Sequence, residues 1–448
     1  MDSDTEILIL GAGPAAIVSA FTAHTYYPDK KITLIKDIPK GVIPCGIPYM
    51  FSSLADPEDN KMGTQPLEAK GIEVIIDKAI KIDRQNKTVQ GSSNNVYSYE
   101  KLIIAVGSNP IIPPIPGIDK QGVYPIYKDM TYLRKVIDKI KSQKNILIVG
   151  GGFIGVEFAD EISKMEGVNV SLAEIQPQIL SNSFDAEFCL LAQKKLEESG
   201  VRMLTGTKVM EFLGNETVQA VRLDNGEELK VDSVILGIGA IPNTKMAFDA
   251  GLDSGRGQGI WVDEYMRTSD PDILAVGDCA GKKDFYTRRN AAVMLASTAT
   301  AEARIAGANI YQLKVVRENK GTIAIYATYI NGLVLGSAGL TEISAKKEGF
   351  EIVVGQTEGS DKHPGSLPGS QNVKIKLIFS RQSGIIMGGQ VCGGISAGEI
   401  INIIGMAIQQ RVAISELETL QMATHPYLTA APTKYPVVLA AQDALTKM

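Results

Sequence analysis

The pattern of apolar and polar positions divides the chain into a repeated α/β part and a different final part. An apolar strand leads through a glycine turn into an apolar helix at residues 7–16, and the same order recurs at 146–155. Each copy is followed by a second short strand, at 32–35 and 170–173. A buried strand, a tight turn, a helix and a second parallel strand form a βαβ unit. The sequence therefore predicts two Rossmann-like α/β domains.

The two copies are separated by a proline-rich stretch at residues 109–117. Because proline lacks a backbone donor, this stretch is excluded from a helix or a central strand, and we predict a linker. Three further apolar strands end at Gly107, Gly239 and Gly277. Their positions predict that the second unit is inserted into the first. We assign residues 1–115 and 252–320 to the first domain and residues 116–251 to the inserted domain.

From Thr322 onward the pattern changes to alternation with a period of two. Asn331-Gly332 between two apolar strands is a strong signal for a hairpin. Further strands and two apolar-periodic helices, at 397–409 and 435–447, follow, with Ser415 as the predicted cap of a short helix. Residues 321–448 are therefore expected to form a separate α+β domain.

Charge and composition favour small molecules as partners. The 45 basic and 50 acidic residues leave no basic field for nucleic acid and no polybasic stretch for a membrane surface. The acidic N-terminus lacks the features of a signal peptide, and no uncharged apolar run reaches the roughly 18 residues of a membrane span. We expect a cytoplasmic protein that binds neither nucleic acid nor membrane.

The two glycine turns have the spacing of nucleotide-binding fingerprints. Gly11-x-Gly13-x-x-Ala16 and the complete Gly150-x-Gly152-x-x-Gly155 each place backbone N–H groups at a helix N-terminus, where a pyrophosphate is favoured. A tight βα turn without a nucleotide is the simpler alternative, but both motifs lie in the strand, turn and helix context that a nucleotide site requires.

The residues at the ends of the second strands differ between the two copies. Glu174 ends the strand of the second copy, where a carboxylate bonds a ribose 2′-hydroxyl and repels the extra phosphate of NADP. This favours NADH, although Lys164 and Arg202 could alter that preference. The first copy has Lys36 at this position and Asp37 one place later, so we expect Asp37 to substitute for the missing acid.

Cys45 is the one cysteine in a context that suggests chemistry. It stands among glycine and prolines after the first fingerprint. Cys189 and Cys392 lie in apolar-periodic surroundings and Cys279 follows Asp278, and all three are expected to be structural. The scattered spacing argues against a zinc site and a disulfide framework, so no metal is predicted. If a helix begins at Cys45, its N-terminus would populate the nucleophilic thiolate. The alternative is a buried cysteine that only packs.

The chain has three histidines as candidates for imidazole chemistry. His363 and His425 lie on proline-bounded loops of the last domain and could protonate a leaving thiolate. Surface loop histidines are common, so these roles stay open. His24 lies on the first helix and is expected to be solvated or packed.

With these motifs, nearly the whole chain resembles the pyridine nucleotide-disulfide oxidoreductase family. It is most similar to the single-cysteine branch of coenzyme A-disulfide reductases, NADH oxidases and NADH peroxidases. The resemblance implies an FAD domain, an inserted NAD domain and a C-terminal dimerisation domain. It also implies a homodimer in which His425 and Tyr427 approach Cys45 of the partner subunit. The implied FAD contacts are Gly11, Gly13, Ala16, Lys36 or Asp37, Ala105, Gly107 and Asp278. The implied NADH contacts are Gly150, Gly152, Gly155, Glu157 beside the nicotinamide, Glu174 and Gly239.

Departures from the branch make an oxidase and a coenzyme A substrate less expected for this chain. NADH oxidases and peroxidases carry a histidine inside the first glycine turn, and this chain has Pro14 there. Coenzyme A-disulfide reductases carry a Tyr-Tyr pair before a Pro-Gly, and this chain has Ser366-Leu367, so that only His363 matches the segment. A dithiol enzyme would carry a second cysteine at the position of Met50.

The resulting hypothesis is an NADH-dependent flavoprotein that reduces a disulfide, persulfide or polysulfide through Cys45. Catalytic roles are assigned to Cys45, His363, His425 and Tyr427. An oxygen-reducing NADH oxidase is the alternative enzyme. A noncatalytic NADH-sensing or electron-transfer flavoprotein is the alternative from another class, and it would tolerate the loss of Cys45.

Overall fold

The computed structural model describes residues 5–255, 258–313 and 318–448 of the 448-residue chain. It forms two compact units, each assembled from separate stretches of sequence. The first unit contains the residues up to Ile111, with Pro125–Lys141 and Gly239–Thr322, and the second contains Ile112–Tyr124, Ser142–Ile238 and Ile323–Met448. Within the described ranges, the helices are too short or too polar for a membrane crossing. The predicted boundaries of three domains stay a prediction.

The strands follow one another along the chain as β1 (Ile7–Leu10), β2 (Ile32–Lys36), β3 (Gly41–Val42), β4 (Lys61–Met62), β5 (Glu73–Ile76), β6 (Ala79–Asp83), β7 (Thr88–Gly91), β8 (Val96–Ser98), β9 (Lys101–Ile104), β10 (Ser108–Pro110), β11 (Val123–Pro125), β12 (Asn145–Val149), β13 (Asn169–Glu174), β14 (Arg202–Thr205), β15 (Val209–Leu213), β16 (Ala220–Leu223), β17 (Glu228–Lys230), β18 (Ser233–Leu236), β19 (Ala240–Pro242), β20 (Ser254–Gly255), β21 (Gly259–Ile260), β22 (Ile273–Ala275), β23 (Tyr326–Ile330), β24 (Leu333–Gly339), β25 (Ile352–Ser360), β26 (Asn372–Ser380) and β27 (Ile386–Gly393).

The α-helices are α1 (Pro14–Tyr26), α2 (Gln65–Glu68), α3 (Met130–Lys141), α4 (Phe153–Ser163), α5 (Ala186–Glu198), α6 (Lys245–Asp249), α7 (Ala296–Asn309), α8 (Glu342–Lys347), α9 (Ala397–Gln409), α10 (Ile414–Glu418) and α11 (Pro436–Leu445). Short 3₁₀ turns connect several of these elements.

The first unit is built on a parallel sheet with the strand order β22-β9-β1-β2-β5. Strand β1 is buried at every position, as expected for a parallel strand covered on both faces. Helix α1 contacts this sheet and packs against α7. Strand β22 follows β12 to β18 in the chain but pairs with β9 of the first sheet. This chain order confirms that the second α/β element is inserted into the first.

The second unit contains a second parallel sheet and an antiparallel sheet. The strand order of the parallel one is β11-β18-β12-β13-β14, and that of the antiparallel one is β23-β24-β27-β26-β25. Two parallel Rossmann-like sheets and a C-terminal α+β element confirm the predicted fold class.

The predicted hairpin in the C-terminal part is present. Ile330 pairs with Leu333, and the two turn residues Asn331 and Gly332 have φ values of 43° and 86°. Both central residues of a two-residue hairpin turn of this type require positive φ, which Asn-Gly provides. The helix predicted at 397–409 is found as α9, and the one predicted at 435–447 as the shorter α11.

One local prediction is wrong. Ser415 lies inside α10 and does not cap it, because the helix begins at Ile414 and Ala413 is the capping residue. The Ala413 N–H donates to the Glu416 carboxylate at 2.7 Å. The proline-rich stretch, which was predicted to avoid a helix or a central strand, overlaps at Asn109 and Pro110 with β10, and β10 pairs with β19 in a two-stranded ribbon. A two-stranded ribbon accepts Pro110 because it is an edge.

A buried ion-pair cluster joins α5 and α8 to the antiparallel sheet in the second unit. The ammonium group of Lys376 is 2.9 Å from Asp185, 2.9 Å from Glu187 and 2.7 Å from Glu342. The side-chain amide of Gln390 donates to Asp185 at 2.6 Å. Lys376 and Asp185 are almost completely buried, so each depends on these partners for its solvation.

Candidate active site

The first predicted nucleotide site lies at the carboxyl ends of β1, β9 and β22, which are adjacent strands. Gly11 follows β1 with a φ of 114°, and a Cβ there would be 2.2 Å from the Ala105 oxygen. A Cβ on Gly13, the cap of α1, would meet no protein atom within 4 Å. Ala16 is fully buried against the sheet. Gly11 is therefore needed for close packing against Ala105. Gly13 leaves open space at the N-terminus of α1, and this space fits a pyrophosphate.

Asp278 follows β22 and is held by two residues that the sequence did not single out. Ser108 donates to the Asp278 carboxylate at 2.7 Å, and the Lys128 ammonium group lies 3.1 Å from the same oxygen. Ser108 directly follows Gly107, which has a φ of 67° and no protein atom near its Cβ position. The structure thus brings the predicted FAD contacts Gly107 and Asp278 together at one sheet edge. Their role as cofactor contacts stays a prediction.

The loop that carries Asp278 rests on a buried ion pair that sequence reasoning missed. Lys282 lies 3.0 Å from Glu302, and both side chains are at most 5% exposed. Glu302 accepts a bond from the Gly277 N–H at 2.9 Å, and Lys282 donates to the Gly277 oxygen at 2.6 Å. The pair therefore fixes both backbone groups of Gly277. Twenty residues separate the partners, so no local motif could have revealed them.

Lys36, the last residue of β2, is buried. It is 9% exposed, and its ammonium group donates to the Pro39 oxygen at 3.0 Å. Burial lowers the pKa of Lys36 from its ordinary value. Asp37 is exposed next to it. The expectation that Asp37 replaces the missing acid stays a prediction.

Cys45 is exposed and lies in the same unit as the first predicted nucleotide site, whose residues Gly11, Gly13, Gly107 and Asp278 we call the FAD-type cradle. The helix expected to begin at Cys45 is not an α-helix but two short 3₁₀ turns, Pro44–Gly46 and Pro48–Phe51. Prolines at the start of each turn explain this break, since their fixed φ suits a first turn and their missing donors interrupt a longer helix. The thiol therefore lacks the dipole of a regular helix. Met50 is buried, at 1% exposure.

The other three cysteines are buried, which agrees with structural roles. Burial raises the pKa of Cys189 to about 12 and the pKa values of Cys279 and Cys392 to about 11. Such thiols remain protonated at neutral pH and are poor nucleophiles. In the described part of the chain, no group of three His, Cys, Asp or Glu side chains is arranged to hold a metal ion.

The second predicted nucleotide site lies at the carboxyl ends of β12, β13 and β18 in the other unit. A Cβ on Gly150, whose φ is 108°, would be 2.6 Å from the Gly237 oxygen, and one on Gly155 would be 1.8 Å from the Gly150 oxygen. A Cβ on Gly152 would meet no protein atom within 4 Å. In both motifs the second glycine, Gly13 or Gly152, faces open space. This arrangement fits a dinucleotide.

Glu174 reaches the glycine turn from the end of β13. Its carboxylate accepts the Gly151 N–H at 2.5 Å and the Gln176 N–H at 2.7 Å. A carboxylate at this place can accept hydrogen bonds from a ribose and repels a 2′-phosphate. Gly239, in contrast, belongs to the first unit, where it precedes β19 and its oxygen accepts the Ile111 N–H. Its predicted nucleotide contact stays a prediction.

Glu157 projects from α4 toward β23 within the second unit. Thr328 donates to its carboxyl oxygen at 2.8 Å. Burial raises the pKa of Glu157 to about 7, the Thr328 hydrogen bond opposes this shift, and Asp160 and Glu161 add to it. A carboxyl group that titrates near neutrality can gain or lose a proton under ordinary conditions.

The structure brings the remaining candidate residues together in two loops of the C-terminal part. The ring nitrogen Nδ1 of His363 bonds to the Thr429 backbone oxygen at 2.9 Å, and the backbone N–H of His363 donates to the Pro426 oxygen. The rings of His425 and Tyr427 have centroids 6.5 Å apart, and both side chains are exposed. His425 and Tyr427 are thus accessible to solvent, whereas His363 links the two loops. Their catalytic roles stay predictions.

Comparison with known proteins places the chain among redox enzymes. The pyridine nucleotide-disulphide oxidoreductase family matches residues 5–303, and the dimerisation domain of that family matches residues 325–435. The chain is 31% identical over 452 residues to an NADH oxidase of Methanocaldococcus jannaschii, covering 98% of this chain and 99% of the relative.

Two further relatives are named for sulfur reduction. An NAD(P)H coenzyme A polysulfide/persulfide reductase of Pyrococcus horikoshii is 28% identical over 87% of each chain. The solved structure of an NAD-dependent persulfide reductase from A. fulgidus is 27% identical with a TM-score of 0.91, covering 99% of this chain and 83% of that one. The chain therefore belongs to the pyridine nucleotide-disulphide oxidoreductase family, whose members use FAD and NAD(H).

Proposed function

We propose that the protein is an FAD-dependent NADH:disulfide or persulfide oxidoreductase with Cys45 as its single redox-active thiol. The observation that carries this proposal is the exposure of Cys45 in the unit that holds the FAD-type cradle, with a buried Met50 where a dithiol enzyme has its second cysteine. The two relatives named for persulfide reduction support a sulfur substrate.

The chemistry assigned to Cys45 is thiol-disulfide exchange. The thiolate attacks one sulfur of a disulfide RSSR, the S–S bond breaks, a mixed disulfide forms at Cys45, and RS⁻ leaves and takes up a proton. Two electrons from NADH then break the mixed disulfide, which releases the second thiol and restores the Cys45 thiolate. Bound FAD supplies the transfer of these electrons from the nicotinamide to sulfur. A persulfide RSSH yields RSH and hydrogen sulfide by the same steps.

The loops that carry His363, His425 and Tyr427 are proposed to face the substrate across a homodimer. The match to the family's dimerisation domain over residues 325–435 supports a dimer. In that arrangement His425 and Tyr427 approach Cys45 of the partner subunit, and an imidazole protonates the leaving thiolate. The exposure of His425 and Tyr427 in the isolated chain is consistent with such a position.

Steady-state kinetics of NADH oxidation test the proposal. The FAD-loaded protein is mixed anaerobically with NADH and with coenzyme A disulfide, glutathione disulfide or polysulfide. Cys45→Ala should abolish acceptor-dependent NADH oxidation while NADH still bleaches the flavin absorbance. Cys392→Ala, which removes a buried thiol of the other unit, is the control and should retain turnover. Full turnover by Cys45→Ala would refute the proposed function.

An oxygen-reducing NADH oxidase is the second candidate, and the name of the Methanocaldococcus jannaschii relative favours it. Pro14, the first residue of α1, stands where oxidases of the branch carry a histidine. Sustained oxygen consumption with NADH, in the absence of any disulfide, would identify this activity in place of the first.

A further inference from the structure

The buried residue Asn60 bonds to the loop that carries Cys45 before the cysteine, at Ile43, and packs against it after the cysteine, at Gly46. The side-chain amide of Asn60 donates to the Ile43 backbone oxygen at 3.0 Å. The Ile43 backbone N–H donates to the backbone oxygen of Asn60 at 2.9 Å. The Gly46 N–H donates to the same Ile43 oxygen at 3.0 Å. The carbonyl of Ile43 therefore accepts two hydrogen bonds. The one from Gly46 closes the turn that contains Cys45, and the one from Asn60 anchors that turn.

Gly46 follows the cysteine and has no space for a larger residue because of Asn60. A Cβ on Gly46 would lie 1.9 Å from the amide oxygen of Asn60 and 2.7 Å from its Cγ. These atoms belong to a side chain that is only 4% exposed, so it cannot simply swing into solvent. The glycine after the cysteine is thus explained by close packing of the amide.

Asn60 itself stands on an anchored segment. It ends the 3₁₀ turn Pro57–Asn60, whose first N–H groups are capped by Asp56. Arg134 on α3 donates to Asp56 at 2.8 Å and to Glu58 at 3.3 Å. The chain then continues into β4, which pairs with β3 just before the cysteine loop. These contacts fix the position of the Asn60 amide, which in turn anchors the turn that contains Cys45.

We propose that Asn60 is a positioning residue for Cys45. It holds the turn of residues 43–46 in one conformation, so that the thiolate keeps the direction that exchange with a substrate sulfur requires. A buried amide with a paired donor fixes a backbone turn because any other conformation leaves buried polar groups unpaired. The inference rests on the proposed function of Cys45 as the redox thiol.

Two rates distinguish a misdirected Cys45 thiol from a missing one: the rate of disulfide reduction and the rate of Cys45 alkylation. In the FAD-loaded protein, Asn60→Ala should lower the turnover number for disulfide reduction about 10- to 100-fold and leave the KM for NADH unchanged. Alkylation of Cys45 by iodoacetamide needs no fixed direction, so its rate should change less than about threefold and keep its pH midpoint. Asn86→Ala is the matched control, because Asn86 also donates through its amide, but to Asp83 in the β6–β7 turn.

Two more variants keep the test informative if Asn60→Ala folds poorly. Asn60→Asp keeps the shape against Gly46 but removes the donor to Ile43, and it should lose turnover similarly. Gly46→Ala should lower the melting temperature sharply in the wild-type background and much less in an Asn60→Ala background, because the clash with the amide is then absent.

The outcomes of these experiments are distinct. Wild-type turnover in Asn60→Ala and Asn60→Asp, beside an inactive Cys45→Ala, would overturn the positioning role and leave the proposed function standing. Equal costs of Gly46→Ala in both backgrounds would also overturn it, because the contact would not exist. Full turnover in Cys45→Ala would overturn both proposals.

Discussion

Replacing Glu157 by glutamine should remove a specific pH dependence from the stability of the second unit. Glu157 is half-buried beside Thr328, and this burial raises its pKa to about 7 from an ordinary value of 4.5. The amide of glutamine can still accept the Thr328 hydrogen bond, and it carries no titratable proton. The variant therefore changes protonation with little change in shape.

The magnitude follows from the two pKa values. The folded state holds the proton of Glu157 up to about pH 7, whereas the unfolded chain releases it above 4.5. A raised folded-state pKa contributes stability that is fully present below pH 4.5 and is lost as the pH rises through 7. Between pH 5 and pH 8 this loss amounts to on the order of 2.5 kcal/mol.

Urea denaturation at pH 5 and at pH 8 measures this difference. The free energy of unfolding of the wild-type protein should fall by about 2.5 kcal/mol more than that of Glu157→Gln between the two pH values. Glu166→Gln, which changes an exposed glutamate just after α4, is the control and should follow the wild type. Parallel pH profiles for the wild type and Glu157→Gln would refute the reasoning.

Four other predictions concern the second nucleotide turn and the buried ion-pair cluster. Gly155→Ala, which would place a methyl group against backbone, should lower the melting temperature by several degrees in calorimetry. Gly152→Ala, which faces open space in the protein, should keep the melting temperature and weaken NADH binding in fluorescence titrations. Glu174→Ala should reduce the preference for NADH over NADPH in kcat/KM about tenfold, and an unchanged ratio would contradict the role of this carboxylate. Lys376→Met should lower the free energy of unfolding by about 3 to 5 kcal/mol in urea, because the buried carboxylate of Asp185 loses its cation.

Features that depend on local sequence were predictable. The hairpin at Asn331-Gly332 follows from two adjacent residues that accept positive φ, and the glycine turns follow from strand, turn and helix within ten residues. The insertion could be inferred because apolar strands ending on glycine recur after the second turn. These signals need no knowledge of distant partners.

Features that depend on distant contacts were not predictable. The raised pKa of Glu157 depends on its burial, and its hydrogen-bond partner Thr328 lies 171 residues later in the chain. Lys128 lies 150 residues before Asp278 in the chain, and the distance of 3.1 Å between their charged groups has no sequence signature. The prediction of an α-helix at Cys45 was wrong for a local reason. Pro44 and Pro48 restrict the segment to two 3₁₀ turns.

The most direct test of the central claim is to trap the substrate sulfur on the protein. The FAD-loaded protein is incubated anaerobically with a disulfide, digested without reductant and mapped by mass spectrometry before and after the addition of NADH. We expect one mixed disulfide, on the peptide that contains Cys45, and we expect it to disappear when NADH is added. An adduct on Cys189, Cys279 or Cys392 instead, or an adduct on Cys45 that persists with NADH, would contradict it.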